Sequence, residues 1–245
     1  MVRTAIQLYT LRDLDGGVPT HLRRVGETAF DGVEFAGFGE TSPREAADVL
    51  ETVGLDAASA HVGIDALEDD LDDVCDTCDA LDCERVVVPY LDEGHFETAQ
   101  DIRETATRLS DLAARLADRG LELGYHNHDH EFVDLPDDDR SAFELLIDET
   151  DDALLIELDV GWTAAAGHDP VALLERLEGR VPLVHLKDVA DGRPVELGDG
   201  EVDIDACAAA ARGSGAEWLV YEHDDPADSA ASLEHGAGVL ETLRD

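Results

Sequence analysis

Lysine is nearly missing from this chain: Lys187 is the only one in 245 residues, and 17 Lys and Arg face 59 Asp and Glu, for a formal charge of −42. A surface so negative repels phosphate backbones and anionic lipid headgroups, which argues against sequence-independent nucleic-acid binding and polybasic membrane attachment. A locally basic site for an anionic substrate is not excluded. Long apolar runs are also absent. None approaches the roughly 20 residues of a bilayer span, and the opening Met1-Val2-Arg3-Thr4-Ala5-Ile6 reads as a strand, not as a charged-then-apolar signal peptide. A soluble, cytoplasmic protein is expected. Cysteine is scarce: Cys75, Cys78, Cys83 and Cys207 do not suggest a disulfide scaffold. Cys75-x-x-Cys78 has the spacing of a metal or redox pair, but it lies in an acidic, helix-patterned segment without a second paired motif, so the four are read as structural thiols.

What is present is enough for a core, since 44% of the residues are hydrophobic. The acids are interspersed along nearly the whole chain, as at Asp69-Asp70-Leu71-Asp72-Asp73, residues 137–139 and Asp224-Asp225. This reads as the coating of a halophilic globular protein, for which a salt-rich cytoplasm screens the self-repulsion; an ordinary acidic protein is the alternative.

Short β-branched runs alternate with longer amphipathic segments throughout, the signature of repeated βα units and a parallel sheet. Strands are predicted at 4–11, 32–36, 55–62, 85–91, 121–128, 154–160, 181–187 and 218–223. Helices are predicted at 18–29, after Ser42-Pro43, around Cys75, at 96–119, and near 170–178, 203–212 and 228–243. About eight units of roughly 30 residues fill the chain, which fits a single-domain (β/α)8 TIM barrel over residues 1–245. An open doubly wound sheet is the runner-up, but no Gly-x-Gly-x-x-Gly turn follows the first strand, so a dinucleotide site has no support.

Functional side chains in such a barrel project from the C-terminal strand ends. Strand five ends Tyr125-His126-Asn127-His128, strand six Glu157-Leu158-Asp159-Val160-Gly161-Trp162, strand seven His185-Leu186-Lys187-Asp188, and strand eight Tyr221-Glu222-His223-Asp224. Alternation pairs His126 with His128, Glu157 with Asp159, His185 with Lys187, and Glu222 with Asp224 on common faces. Four consecutive strands thus end in His126, Asp159, His185 and Glu222, which a closed barrel would aim at one point. Mixed imidazole and carboxylate ligands suit a divalent ion such as Mn²⁺, Zn²⁺ or Co²⁺ with open positions for substrate oxygens. The bland alternative is an unmetallated polar cluster at the barrel mouth.

The segments Tyr-His-Asn-His-Asp-His-Glu-Phe (125–132), Leu-Asp-Val-Gly-Trp (158–162), Val-His-Leu-Lys-Asp (184–188), Gly-Asp-Gly-Glu-Val-Asp (198–203) and Tyr-Glu-His (221–223) carry a resemblance that covers essentially the whole chain. They resemble the xylose isomerase-like TIM-barrel superfamily of sugar isomerases and epimerases. The resemblance implies one metal held by a strand-five acid, a strand-six Asp, a strand-seven His and a strand-eight Glu. The last three match Asp159, His185 and Glu222, whereas His126 stands where the carboxylate should be. It also implies that epimerases of this kind use the strand-five and strand-eight glutamates as paired bases, of which only Glu222 remains. The usual His after the strand-six Asp is Trp162 here. Glu131, His128 or Glu157 are candidates for the missing base.

Glu34 and His61, ending strands two and three, are expected to orient substrate together with Glu157 and Trp162; a structural salt bridge or core histidine explains Glu34 and His61 equally well. Lys187 could stabilise an enolate or bind an anionic group, or simply pair with Asp188. The loop at 198–200 is either a substrate-covering segment or a plain turn. The expected activity is a metal-dependent isomerase or epimerase acting on a small-molecule sugar or keto-sugar through an enediolate. A dehydratase or lyase on a keto-inositol or 3-keto sugar is the runner-up, since one-base elimination needs no second base. A non-catalytic sugar- or metal-binding barrel is the third reading. Cleavage of abasic DNA, another branch of the superfamily, is disfavoured by the charge. A homo-oligomer is expected from the resemblance.

Overall fold

The computed structural model describes residues 1–136 and 139–244; Asp137 and Asp138, within the 137–139 acidic run, lie outside the described residues. Strands β1 (Arg3–Gln7), β2 (Gly32–Phe35), β3 (Asp56–His61), β4 (Arg85–Val88), β5 (Glu122–His126), β6 (Leu154–Asp159) and β7 (Leu183–Leu186) pair in parallel, each with the next. A small antiparallel hairpin, β8 (Asp188–Ala190) and β9 (Arg193–Val195), follows β7. The last strand, β10 (Trp218–Tyr221), pairs with both β7 and β1 and closes an eight-stranded parallel barrel. The expected (β/α)8 TIM barrel is the fold found.

Around it run α1 (Val18–Val25), α2 (Pro43–Val53), α3 (Ile64–Asp69), α4 (Leu71–Leu81), α5 (Ala99–Ala117), α6 (Ala142–Glu149), α7 (Val160–Ala165), α8 (Pro170–Arg176), α9 (Ile204–Gly213) and α10 (Ser229–Thr242). Local chemistry sets their ends. The Ser42 hydroxyl accepts the Glu45 N–H ahead of Pro43 at the start of α2, and Ser141 and Glu144 form a reciprocal capping box on α6. Leucine, valine and alanine on the inner helix faces pack against the outward residues of the strands. A smaller cluster, Ala5, Ala58, Val87, Leu183, Trp218 and Val220, fills the barrel interior at its N-terminal end. The apolar plug leaves the other end of the interior to polar side chains.

Several strands end sooner than the sequence suggests, and at two of them a side chain captures the backbone that follows. At the end of β1 the Gln7 side chain accepts the Tyr9 N–H at 3.1 Å and starts a 3-10 turn over Leu8–Leu11. At the end of β6 the Asp159 carboxylate accepts the Trp162 N–H at 2.8 Å and starts α7. In both places the polar residue that terminates a strand also caps the next turn of the chain. The helix predicted at 96–119 is α5 capped by Thr98, preceded by a 3-10 turn at Glu93–His95. The α6 and α7 helices and the β8–β9 hairpin carry no separate sequence expectation. All four cysteines are buried and unbonded, and among the described residues no helix is long and apolar enough to cross a membrane.

Candidate functional site

The C-terminal end of the barrel holds two linked layers of buried polar groups. In the deeper layer, Glu34 on β2 accepts from Gln7 Nε2 at 2.8 Å and from the Ser59 hydroxyl. His185 Nε2 lies 2.6 Å from Glu34 Oε2, and His61 Nε2 lies 2.8 Å from Glu157 Oε2. In the upper layer, His185 Nδ1 lies 3.0 Å from Glu222 Oε2. The Lys187 ammonium is 2.9 Å from Asp159 Oδ2, 2.9 Å from Glu222 Oε2 and 2.7 Å from Asp224 Oδ2. His185 therefore joins the layers, one ring nitrogen to each.

Single ligand atoms of His126, Asp159, His185 and Glu222 lie within 4.8 Å of one another, and all four residues are buried. Glu34, His61, Glu157 and His185 are clustered as closely. The upper set fits a cation better. Its His126 Nδ1 is buried without a well-formed hydrogen bond and its Asp159 Oδ2 meets only the Lys187 ammonium at 2.9 Å, whereas the deeper set is drawn together by the short Glu34–His185 and His61–Glu157 contacts and leaves only Glu157 Oε1 without a partner. A set of two imidazoles and two carboxylates can hold a divalent ion.

Electrostatics sort the groups. Burial raises a carboxyl's pKa, yet the Lys187 and His185 charges outweigh it at Glu222 and hold that carboxyl well below its ordinary value. Burial likewise opposes the charged form of His61, but Glu34 and Glu157 overcome it and carry the imidazolium up to about 10. His126 is shifted down by burial and by His185, and His128 falls to about 3 through burial and the nearby Lys187 charge. The imidazoles of His126, at the end of β5, and of His128, just beyond it, are neutral where His61 is charged.

A cavity of about 450 Å³ opens above these groups, with His61, His126, His128, Glu222 and Asp224 on its wall and Tyr9 and Tyr90 at its rim. The sequence candidates divide accordingly. His61, His126, His128 and Glu222 face the cavity, while Asp159, His185, Glu34 and Glu157 lie immediately beneath, all with 0% exposure. Lys187 is also 0% exposed and fully engaged by three carboxylates, which places it under the surface and not against an enolate or anionic group as expected, and its partners are Asp159, Glu222 and Asp224 instead of the alternative, Asp188. The Trp162 ring covers the Lys187 ammonium at 4.6 Å and stacks near His128, and it is not among the residues lining the cavity. Glu131 is the clear misplacement. The 3-10 turn at Asp129–Phe132 folds its carboxyl inward, where it accepts the Tyr125 hydroxyl at 2.7 Å and burial pushes its pKa well up, so it is no base for the cavity.

Some site residues are not singled out by the sequence. Gln7, the true end of β1, lies inside the longer strand predicted at 4–11, Ser59 orients Glu34 from within β3, and Tyr9 at the rim belongs to the turn after β1. Gly161 is fixed by packing, because a Cβ there would sit 2.7 Å from Lys187 Cγ and 2.9 Å from its carbonyl oxygen. The Gly198–Gly200 segment is no free cover: Asp188 accepts the N–H groups of Gly198 and Gly200, each at 2.9 Å.

The chain is similar over residues 22–243 to the family described as the xylose isomerase-like TIM barrel. It is 28% identical to the rhizopine catabolism protein MocC of Rhizobium meliloti over 52% of this chain and 44% of that protein, so it spans about half the length of that curated relative. It is 24% identical to the inosose dehydratase of Mesomycoplasma hyopneumoniae over 97% of this chain and 93% of that one. A sugar phosphate isomerase/epimerase from Parabacteroides distasonis superposes with a TM-score of 0.86 at 18% identity, covering 100% of each chain, which shows a shared fold. With the closed barrel and the family's match across most of its length, this chain belongs to the xylose isomerase-like TIM-barrel family.

Proposed function

We propose that this chain is a divalent-metal-dependent enzyme that removes a proton beside the carbonyl of a sugar or keto-sugar, and that the reaction ends in loss of a β-hydroxyl. The substrate class would be a keto-inositol or 3-keto sugar. The observation that carries this reading is that both carboxylates on the cavity wall, Glu222 and Asp224, belong to the segment following β10, while β5 presents the imidazole of His126. Proton transfers on opposite substrate faces need two opposed bases. An elimination needs one.

His126, Asp159, His185 and Glu222 would hold the ion, with Mn²⁺, Zn²⁺ and Co²⁺ all suited to the donor set. When bound, such an ion supplies Lewis-acid stabilisation of charge developing on a carbonyl oxygen. Glu222, ionised under the influence of Lys187 and His185, takes the carbon-bound proton. The C–H electrons form the enolate and then the C=C bond as the β C–O bond breaks, and the proton on Glu222 passes to the departing hydroxyl, so one water leaves. Tyr9 and Tyr90 flank the mouth and offer flat apolar faces to the C–H side of a sugar ring.

Isomerisation or epimerisation is the second reading, and His128 favours it. Its neutral imidazole faces the cavity with a buried Nδ1 that lacks a hydrogen-bond partner, a group able to handle a proton from the β5 side.

The test is NMR of ketoses, keto-inositols and 3-keto sugars with the protein in high-salt D₂O, with Mn²⁺ and again with chelator. Metal-dependent deuterium incorporation next to a carbonyl followed by an enone supports the dehydratase. An epimer or isomer supports the second reading. No exchange with folded, metal-loaded protein overturns both and leaves a binding barrel. Glu222→Gln is expected to lower the exchange rate by about 10²–10⁴-fold, the range for a positioned base.

A further inference from the structure

Beside the cavity lies a second recess. Tyr9, Ala36 and Gly37 line the cavity and also line a neighbouring groove of about 570 Å³, so the two share a wall built by the turn after β1 and the loop after β2. Each volume falls within the range of about 300–1,000 Å³ found for small-molecule sites. The border between them carries the two smallest side chains. Ala36 and Gly37 are both exposed, and a Cβ on residue 37 would meet no atom within 4 Å. Gly37 and Gly39 have φ of 85° and 57°, the left-handed region that glycine adopts freely. Between them Phe38 packs on Phe35, with ring centroids 5.0 Å apart, and lines the groove but not the cavity.

The groove mixes aromatic surface with hydrogen-bonding groups. Tyr9 is 44% exposed and Phe38 is half-buried, so part of each ring is left to solvent. Arg12, Glu40, Thr41 and Glu45 supply charged and hydroxyl groups around them. A sugar ring matches both kinds of wall, because its C–H faces pack on aromatic rings while its hydroxyls donate to carboxylates and accept from a guanidinium. A wholly apolar occupant would strip water from the polar groups without replacing it, and an anionic one would face two glutamates. Arg12 is held ready: its guanidinium lies over the Tyr9 ring at 4.1 Å and donates to the carbonyls of Tyr9, at 3.1 Å, and of Asp224. The last contact ties the groove to the segment after β10 that carries Glu222.

We propose that this groove is a subsite for a second sugar ring, joined by a glycosidic bond to the keto-sugar in the cavity, so that the substrate is a glycosylated keto-sugar. The inference rests on the reading of the cavity as a keto-sugar site and adds a second recognition element to it.

Saturation-transfer NMR with Mn²⁺ in high-salt D₂O tests it. D-fructose is compared with turanose, maltulose, leucrose and isomaltulose, glucosyl-fructoses that keep the ketose and differ in linkage. At least one of them should bind at least about tenfold more tightly than fructose, with saturation reaching the glucosyl protons, because the second ring makes its contacts without a second loss of translational freedom. In Phe38→Ala and in Glu40→Ala that preference should shrink by at least about threefold. Glu40 is exposed, so its variant reports if the Phe38 variant fails to fold. Disaccharides that bind no more tightly than fructose, or a preference unchanged in both variants, overturn the inference. If neither fructose nor any disaccharide binds or exchanges deuterium, the proposed function falls, and methyl α-D-glucopyranoside in EDTA then decides the groove by itself: saturation that the two variants reduce keeps the subsite, and none overturns it. Variant-sensitive binding of benzyl alcohol in place of the glucoside would assign the groove to an aromatic group and likewise overturn the inference.

Discussion

The charge balance of the site turns on Lys187. Its ammonium touches two of the four candidate metal ligands, Asp159 and Glu222, together with Asp224, so a divalent cation drawn to the same oxygens competes with it. Replacing it with methionine leaves three carboxylates without their cation, and breaking a buried ion cluster from one side costs about 3–5 kcal/mol. Lys187→Met should therefore melt earlier than wild type without metal, yet bind Mn²⁺ at least about tenfold more tightly by calorimetry. Affinity equal to that of wild type would show that the ammonium and the cation do not share space. His61 gives a second residue-scale prediction. Its folded pKa, about 10, exceeds the ordinary 6.5, so its contribution to stability is complete below about pH 6.5 and is lost as pH rises through 10. Tm of the metal-free protein should fall from pH 7 to pH 10, and the fall should be smaller in His61→Gln. With a single lysine in the chain, few ammonium titrations interfere in that interval. The strand-end candidates were legible because alternation along a strand is geometric. Glu131 was not, because the 3-10 turn that hides it depends on the Tyr125 hydroxyl beneath, six residues back in the chain.

Among the elements, the segment between β7 and α9 shows how one side chain can organise a loop. Asp188 ties together four backbone amides spread from Val189 to Val202. Hydrogen bonds to a charged group contribute about 1.5–3 kcal/mol each, so their joint loss should release the whole segment. In Asp188→Ala, amide exchange at Gly198, Gly200 and Val202 should accelerate by at least about tenfold while exchange in β4 and β5 changes little. Uniform acceleration throughout the barrel would instead make Asp188 a determinant of global stability. The sequence pattern revealed the βα alternation and the eight barrel strands because periodicity and capping are local. It did not reveal the β8–β9 hairpin, whose three-residue strands have too few residues to show a period, nor the early stops at Gln7 and Asp159, where a side chain captures the following backbone.

For the molecule as a whole, the surface charge is too one-sided for ion pairing to neutralise. Arginines are paired across helices, as in Arg108 with Glu68, Arg103 with Glu149, and Arg176 with both Glu144 and Asp148. Yet 17 basic residues cannot offset 59 acids, so most surface carboxylates repel one another without local relief. Such repulsion extends about 10 Å at 0.1 M salt and only about 3 Å at 1 M. The Tm should therefore climb as KCl rises from about 0.1 to 2 M, with most of the gain below about 1 M, where the screening length changes most. A general solute effect could imitate part of that rise, and pH separates the two. Near the sequence pI of about 4.1 the net charge vanishes, so a gain that comes from screening should shrink as pH approaches that value, while one that comes from solute exclusion should persist. Scanning calorimetry across KCl at pH 7.5 and pH 5 measures both slopes. Equal slopes at the two pH values would show that the acidic coat is not what salt acts on, and would remove the physical basis for reading this surface as an adaptation to brine.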